Sequence, residues 1–166
     1  MKLKRKAFTL IELLLVAVLL IVVAGFSIPN LAKAYSGVQF RAASRQISYL
    51  MRYAQSVAVI HQKEYRICFA QDRLNYWLEE EVKAEGDEDQ ETLSTEKSFQ
   101  KIKGEKGRVF SMTSGISLEV QNDNIVFYPD ATIDKAEIIL RNKDQKEIVI
   151  STQERRGQID VFSPTE

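Results

Sequence analysis

Hydrophobic residues dominate the start of the chain: between Phe8 and Phe26 only Thr9 and Glu12 are polar. As a helix, these residues extend about 28 Å, which is close to the hydrocarbon thickness of a bilayer. A basic cluster precedes them, made of Lys2, Lys4, Arg5 and Lys6. Because basic flanks stay on the cytoplasmic side, the pattern predicts a single membrane-spanning helix over residues 8–28, with the rest of the chain outside the cytoplasm.

A helical period continues beyond this run. A first row of apolar residues consists of Leu31, Tyr35, Val38 and Ala42, and a second row consists of Ala43, Ile47, Leu50, Ala54 and Val57. The change of row moves the apolar stripe by about 100° around the helix. Residues 29–62 are therefore predicted to continue the helix, with Pro29 as a kink, and to cover a neighbouring helix first and the chain's own sheet next. A single two-faced core helix fits the same pattern.

After His61 the period changes to two. The segments "YRICFA" and "RLNYWLE" alternate and are separated by a short polar connection, which predicts a β-hairpin with Tyr65, Ile67 and Phe69 on one face and Leu74, Tyr76 and Leu78 on the matching face. Five later segments are short and β-branched: "SGISLEV", "NIVFYP", "AEIILRN", "KEIVIST" and "GQIDVF". Together with the hairpin, these segments predict six or seven antiparallel strands. The predicted fold is α+β, a long N-terminal transmembrane helix packed on a β-rich head over residues 63–166.

Glu12 separates three interpretations of the N-terminus. A secretory signal would end at Ala32-Lys33-Ala34, before Tyr35, and a plain anchor would merely tolerate the acid. The third interpretation gives the carboxylate a partner, because an ionised acid within a membrane helix costs a few kcal/mol and usually pairs. Cleavage between Ala7 and Phe8 would create an α-amino group four residues before Glu12, and this amine would be mostly cationic. The pair would then favour assembly of neighbouring chains.

The stretch "KAFTLIELLLVAVLLIVVAG" resembles the class III signal of type IV prepilins and of the pseudopilins of type II secretion systems. In that family a basic leader ends in a small residue, usually Gly where this chain has Ala7, and the mature chain starts with Phe and has Glu at its fifth position. The resemblance implies that a prepilin peptidase removes residues 1–7 between Ala7 and Phe8 and N-methylates Phe8. It also implies that Glu12 pairs with the N-terminal amine of a neighbour in the growing filament.

A second resemblance lies in the segment from Ile125 to Phe162, which is similar to the C-terminal half of the minor pseudopilin GspH and its pilus relative FimT. Phe127, Pro129 and Asp130 match a Phe-x-Pro-Asp-Gly-like turn in which Ala131 replaces the usual Gly, and Gly157 is kept in the stretch before the last strand. The chain has Gln158 and Asp160 where DNA-binding FimT-like proteins carry arginines, and Asp160 would repel phosphate. This departure does not favour a DNA partner.

Charge is distributed unevenly in the head. The run from Glu79 to Glu91 holds eight acids and one lysine, whereas the run from Lys97 to Arg108 is basic. We interpret residues 79–108 as a solvated loop, with a docking surface or a calcium site at Asp87, Glu88 and Asp89 as the alternatives. The formal net charge of zero would become about −4 once the leader is removed, since Lys and Arg fall to 19 against 23 Asp and Glu. That balance argues against nucleic acid.

No residue pattern indicates catalysis, and we expect no enzyme, catalytic residue, metal or cofactor. His61 is predicted to be solvated or to cap the end of the helix, the lone Cys68 to be a buried inert thiol, and Trp77 to pack in the core or hairpin. The sequence thus predicts a minor pseudopilin, a structural subunit of a type II secretion pseudopilus or a type IV pilus, with a single pass through the bacterial inner membrane and its head in the periplasm or cell exterior.

The partners implied by the resemblance are other pilin or pseudopilin subunits, the prepilin peptidase and the inner-membrane assembly platform. Two alternatives remain open. One is a FimT-like minor pilin that binds DNA for uptake, and the other is a secreted or anchored β domain with an unknown ligand.

Overall fold

The computed structural model describes residues 9–82, 97–153 and 157–164, with the side chains of residues 26–34 outside the described set. One helix, α1, runs from Leu10 to His61 and includes Pro29 within its bounds. The chain divides into two compact units, Met1–Gln39 and Phe40–Glu166, which are described separately below.

Helix α1 ends where the sequence predicts. The N–H of Lys63 donates to the C=O of Ala58 at 3.3 Å, and Gln62 between them adopts a left-handed φ of 52°. This is the six-residue closure of a Schellman motif, which satisfies a carbonyl left open by the end of a helix. The side chain of Gln62 adds a hydrogen bond to the C=O of Val59 at 2.7 Å. The turn lets the chain reverse directly into the first strand.

Nine β-strands are described in the second unit. They are β1 Tyr65–Phe69, β2 Asn75–Val82, β3 Ser98–Lys101, β4 Phe110–Ser111, β5 Ile116–Val120, β6 Asn124–Phe127, β7 Glu137–Asn142, β8 Glu147–Ser151 and β9 Asp160–Phe162, with a 3₁₀ turn at Glu105–Gly107. All seven strand segments predicted from the sequence are present, and the two further strands, β3 and β4, are short.

The strands form two antiparallel sheets. In sheet A the order is β3-β2-β1-β6, with β4 also paired to β2, and in sheet B it is β5-β7-β8-β9. The predicted hairpin is confirmed, with Ile67 opposite Leu78 and Phe69 opposite Tyr76. Sheet B has three antiparallel pairings, and in the first two Leu140 of β7 lies opposite both Leu118 and Ile148.

Two sequence expectations need correction. The predicted loop over residues 79–108 is too long, because Glu79–Val82 continue β2 and pair with β3; residues 83–96 lie outside the described set. Leu74 is predicted on the buried face of the hairpin, yet it is 54% exposed. Its place is in the turn, where Arg73 has a φ of 55° and the N–H of Leu74 donates to Asp72.

The core of the second unit lies between helix α1 and the inner faces of the strands. The predicted second row of the helix is buried, and three further apolar residues of the helix that the pattern did not predict, Phe40, Met51 and Ala58, are buried beside it. The strands contribute residues that alternate along each of them, including Tyr65, Ile67, Tyr76, Leu78, Ile125, Phe127, Ile138, Leu140 and Ile150. The apolar face of the helix, which repeats every 3.6 residues, and the apolar faces of the strands, which repeat every two residues, therefore pack in one cluster.

Candidate functional site

Ala7 and Phe8, the predicted cleavage and methylation residues, lie outside the described residues. The leader over residues 1–7 does so as well. Processing at this junction therefore stays a prediction, and the described part of the chain begins one residue later, at Thr9.

Thr9 caps the N-terminus of helix α1. The N–H of Glu12 donates to the Thr9 backbone oxygen at 3.1 Å and lies 3.3 Å from Thr9 Oγ1. Thr followed three residues later by Glu is the sequence pattern of a capping box, in which the hydroxyl satisfies an amide that the first turn leaves unpaired. Glu12 thus lies in the first turn of the helix, four residues after the predicted new N-terminus at Phe8.

The helix surface after this cap is apolar on every side. From Leu10 to Gly25 each residue is exposed within the chain, as shown by Leu10 at 82%, Ile11 at 73% and Ile21 at 70%. A helix that is hydrophobic all round is normally covered by lipid or by other protein. By length and hydropathy, none of the helices within the described residues qualifies as a membrane span. The span over residues 8–28 therefore stays a prediction.

In the first predicted apolar row, the three residues whose side chains are described are exposed within this chain. Tyr35 is 64% exposed and Val38 is 66% exposed, and Ala42 is exposed too. The sequence pattern assigns this row to a neighbouring helix, and its exposure leaves it accessible to one.

The two segments that carry the second resemblance come together beside helix α1. Ala131 ends the turn that follows β6, and Gly157 precedes β9. The amide nitrogen of Gln55 donates to the Ala131 carbonyl at 2.9 Å and to the Gly157 carbonyl at 2.7 Å. Gln55 does not stand out in the sequence, because a polar residue beside a helical core stripe looks like ordinary surface.

Backbone conformation explains the residue types at this junction. Gly157 has a φ of 74° and Ala131 a φ of 66°, both in the left-handed region where glycine is unstrained. Around Ala131 the carboxylate of Asp130 accepts from the Thr132 N–H at 2.9 Å, and Asp134 accepts from the Val126 N–H at 3.1 Å. These bonds hold the turn in a conformation that costs Ala131 energy, which is the physical reason for a glycine preference at this position.

A polar cluster covers the outer face of sheet A. Glu79 accepts from Trp77 Nε1 at 2.7 Å and from Arg66 Nε at 2.8 Å, and Arg66 also lies 4.0 Å above the Phe99 ring. Burial favours the neutral acid, but the bonds from Trp77, Arg66 and Cys68 outweigh it and lower the pKa of Glu79. Trp77 is therefore on the outer face of the hairpin, which corrects the alternative that placed it in the core.

Cys68 lies under this cluster. It is 8% exposed, and burial together with the neighbouring Glu79 raises the pKa of its thiol to about 12. The sequence expectation of a buried thiol is confirmed, and the high pKa keeps the sulfur protonated and weakly nucleophilic.

His61 is exposed at the end of α1, which agrees with the predicted solvated position. Its Nδ1 lies 2.7 Å from the Tyr65 hydroxyl, and that hydroxyl lies 3.3 Å from Glu80 Oε2. Burial and the nearby Glu80 charge raise the pKa of Tyr65 to about 12. The three side chains link the helix end to the first hairpin.

The calcium alternative at Asp87, Glu88 and Asp89 falls outside the described residues.

No family model matches the sequence of this chain, and no curated protein matches it. Solved structures do match. The minor pseudopilin EpsH from the type 2 secretion system of Vibrio cholerae superposes with a TM-score of 0.61 at 10% identity, over 77% of this chain and 99% of that one. The chain shares the fold of this pseudopilin.

The type IV minor pilin FimU of Pseudomonas aeruginosa shares the same fold. One crystal form matches with a TM-score of 0.53 at 14% identity, over 76% of this chain and 93% of FimU. A second crystal form gives 0.51 at 14% identity, over 76% of this chain and 98% of FimU. The predicted α+β fold, a helix with antiparallel sheets in the manner of pilins, is confirmed by these likenesses.

Proposed function

We propose that this chain is a minor pseudopilin, a structural subunit of a type II secretion pseudopilus or of a type IV pilus. Two independent lines support the proposal. The sequence resembles the prepilin signal from Lys6 to Gly25, and the structure has the fold of EpsH and FimU. Neither line depends on the other, because the prepilin signal is read from the first residues, whereas the strand topology lies in the second unit.

The observation that carries the proposal is the helix from Leu10 to Gly25, exposed and apolar on every side except for Glu12. A soluble domain does not leave such a surface in water, since burying apolar area yields about 25 cal/mol per Å². Lipid would cover it before assembly and neighbouring helices would cover it in a filament. Glu12 would then find its counter-charge in the amine of Phe8 on an adjacent subunit.

As a pseudopilin, the chain would have two further partners besides the other filament subunits. A prepilin peptidase would cleave after Ala7 and methylate Phe8, and an inner-membrane assembly platform would move the subunit into the filament. The helix would stay in the inner membrane until then, with the head in the periplasm or at the cell exterior. The function is mechanical: the helices bundle, Glu12 sets the axial register, and the head contacts other subunits.

The test is the intact mass and N-terminal sequence of the protein recovered from its native membrane. A chain that starts at methylated Phe8 supports the proposal. A start at Tyr35, or an uncleaved Met1, contradicts it, because the first outcome is conventional secretion and the second is a plain anchor. As matched controls, Ala7→Gly should keep the cleavage and Ala7→Leu should block it, since the family places a small residue before the cut.

A further inference from the structure

Three arginines lie in a row on the exposed surface of α1 within the second unit. Arg41, Arg45 and Arg52 are separated by four and seven residues, which places them within an arc of about 40° on a helix of 3.6 residues per turn. All three are exposed. The row extends along about three turns of the helix.

These arginines make no ion pair with the part of the chain that the structure describes. Three arginines of the strands and turns do: Arg66 pairs with Glu79, Arg73 with Asp123, and Arg141 with Glu119 and Glu147. Like charges four residues apart on a helix destabilise it. The row therefore carries a cost that no contact among the described residues offsets.

A groove runs beside this row. It encloses about 260 Å³ and is lined by Ser44, Arg45, Ser48, Tyr49, Arg52 and Val161. The ammonium of Lys106 lies 4.4 Å above the Tyr49 ring and brings a fourth cation to the same side. One wall of the groove is thus basic and aromatic, and the other is the strand residue Val161.

The strand that forms this second wall is an open edge. β9 pairs with β8 and is the last strand of sheet B among the described residues. Val161 is 44% exposed and Phe162 is 45% exposed. An unpaired edge offers backbone N–H and C=O groups to an added strand, and apolar side chains on it are typical of a protein contact.

We propose that this groove and the β9 edge together dock an extended protein segment that carries carboxylates and comes from a neighbouring filament subunit. The segment would add its backbone to β9 and direct its acids toward Arg45 and Arg52, whose planar guanidinium groups bind carboxylates with two parallel hydrogen bonds. The identity of the partner as a filament subunit rests on the proposed function, whereas the binding chemistry rests on the groove alone.

A protein segment fits this surface better than nucleic acid does. Asp160 lies next to Val161 in β9 and accepts from Gln158 at 2.7 Å, so a phosphate chain that followed the edge would meet a carboxylate. Val161 and Phe162 also favour side chains over a sugar-phosphate backbone. An alternating peptide avoids this conflict, because successive side chains of a strand point to opposite faces. Its acids can point toward the arginines and away from Asp160, while its uncharged residues lie on the face of Asp160.

The experiment measures binding of a fluorescent peptide of alternating Glu and Thr to the full-length chain in non-ionic detergent. We expect binding that weakens with salt, is absent for the same peptide with Gln in place of Glu, and falls at least about tenfold in Arg45→Glu/Arg52→Glu. The variant Lys143→Glu/Lys146→Glu changes the net charge equally at an exposed turn and should keep most of the binding. Arg45→Gln/Arg52→Gln, a milder change, should weaken it as well.

Three outcomes would overturn the inference: no binding of the acidic peptide, equal binding by both charge-reversed pairs, or stronger arginine-dependent binding of a single-stranded oligonucleotide than of the peptide. The emission of Trp77, the one tryptophan, checks that each variant is folded. Because the peptide needs no filament, failure here leaves the proposed function standing, and an unprocessed N-terminus would refute that function without touching the peptide result.

Discussion

The side-chain amide of Gln55 donates to the carbonyl oxygen of Gly157 at 2.7 Å, across 102 residues of sequence. The same nitrogen donates to Ala131 at 2.9 Å. One helical side chain thus ties together the turn after β6 and the approach to β9. Both carbonyls belong to residues with left-handed backbones, a conformation that is unfavourable for any residue except glycine. The contribution of this junction to stability can therefore be tested by substitution.

Replacing Gly157 with Ala should destabilise the head strongly. A Cβ at this position would lie 2.5 Å from the Ala131 oxygen and 3.3 Å from Gln55 Nε2, so the junction would have to open. The left-handed backbone adds about 1–2 kcal/mol, and the steric conflict adds a further cost of about 1–3 kcal/mol. Chemical denaturation followed by Trp77 emission measures the sum.

Gly104→Ala is the matched control for this variant. Gly104 has a φ of 92° and a ψ of −167°, a region that is nearly exclusive to glycine, and a Cβ added there would meet nothing within 4 Å, so only a backbone term applies. The free energy of unfolding should fall by about 1–3 kcal/mol. A loss of no more than about 2 kcal/mol in Gly157→Ala would show that the contact with Ala131 carries no energy.

The reverse change, Ala131→Gly, should stabilise the head. Removing the strain of a left-handed alanine raises the free energy of unfolding by about 1–2 kcal/mol. The greater conformational freedom of glycine in the unfolded chain lowers it by about 0.4–1 kcal/mol. We expect a net gain of up to about 1.6 kcal/mol in the free energy of unfolding. Ala136→Gly, at a buried site with 2% exposure, should instead lose stability, and a loss in both variants would contradict the strain argument.

Glu79 should make stability depend on pH in the acid range. Its folded pKa lies below the ordinary 4.5, because bonds from Trp77, Arg66 and Cys68 outweigh the effect of burial. A depressed carboxyl pKa contributes stability that is complete above the unfolded value and is lost as pH falls through the folded one. The free energy of unfolding should therefore decrease as pH drops below 4.5.

The variant Glu79→Gln tests this assignment, since it should flatten the pH dependence below the ordinary carboxyl pKa and lower the stability at neutral pH. Glu119→Gln is the control, because that carboxylate is 54% exposed in its pair with Arg141 and exposed pairs contribute little. If Glu79→Gln keeps the wild-type slope, other acids carry the effect.

Glu12→Gln should separate processing from assembly. The amide keeps the shape of the side chain and leaves the Thr9 cap in place, so the leader should still be removed at Ala7. Without its charge the side chain loses the pairing with the Phe8 amine, and recovery with other filament subunits should fall at least about tenfold. The measurement is the amount of variant that co-purifies with sheared filaments, relative to the amount in the membrane. Unchanged recovery would show that Glu12 does not act in assembly.

Local patterns were sufficient for most of the secondary structure. The helix end at His61, the hairpin from Tyr65 to Leu78 and the five later strands follow from periodicity and turn residues, which act over a few neighbouring positions. The prediction for Leu74 was wrong because the left-handed residue at Arg73 leaves Leu74 in the turn, and β2 begins only at Asn75. β3 is not evident in the sequence because it is short and polar, and its place is set by pairing with Glu79–Val82.

The prediction for the N-terminus rests on the chain alone: an apolar segment with one acid follows a basic cluster. These properties reside in consecutive residues and need no fold. Which distant residues meet could not be predicted in this way, because the contact of Gln55 with Gly157 and the groove that Arg45, Arg52 and Val161 line together depend on how helix and sheets pack. A helical arginine and a strand valine carry no sequence signal of their proximity; packing of the second unit creates it.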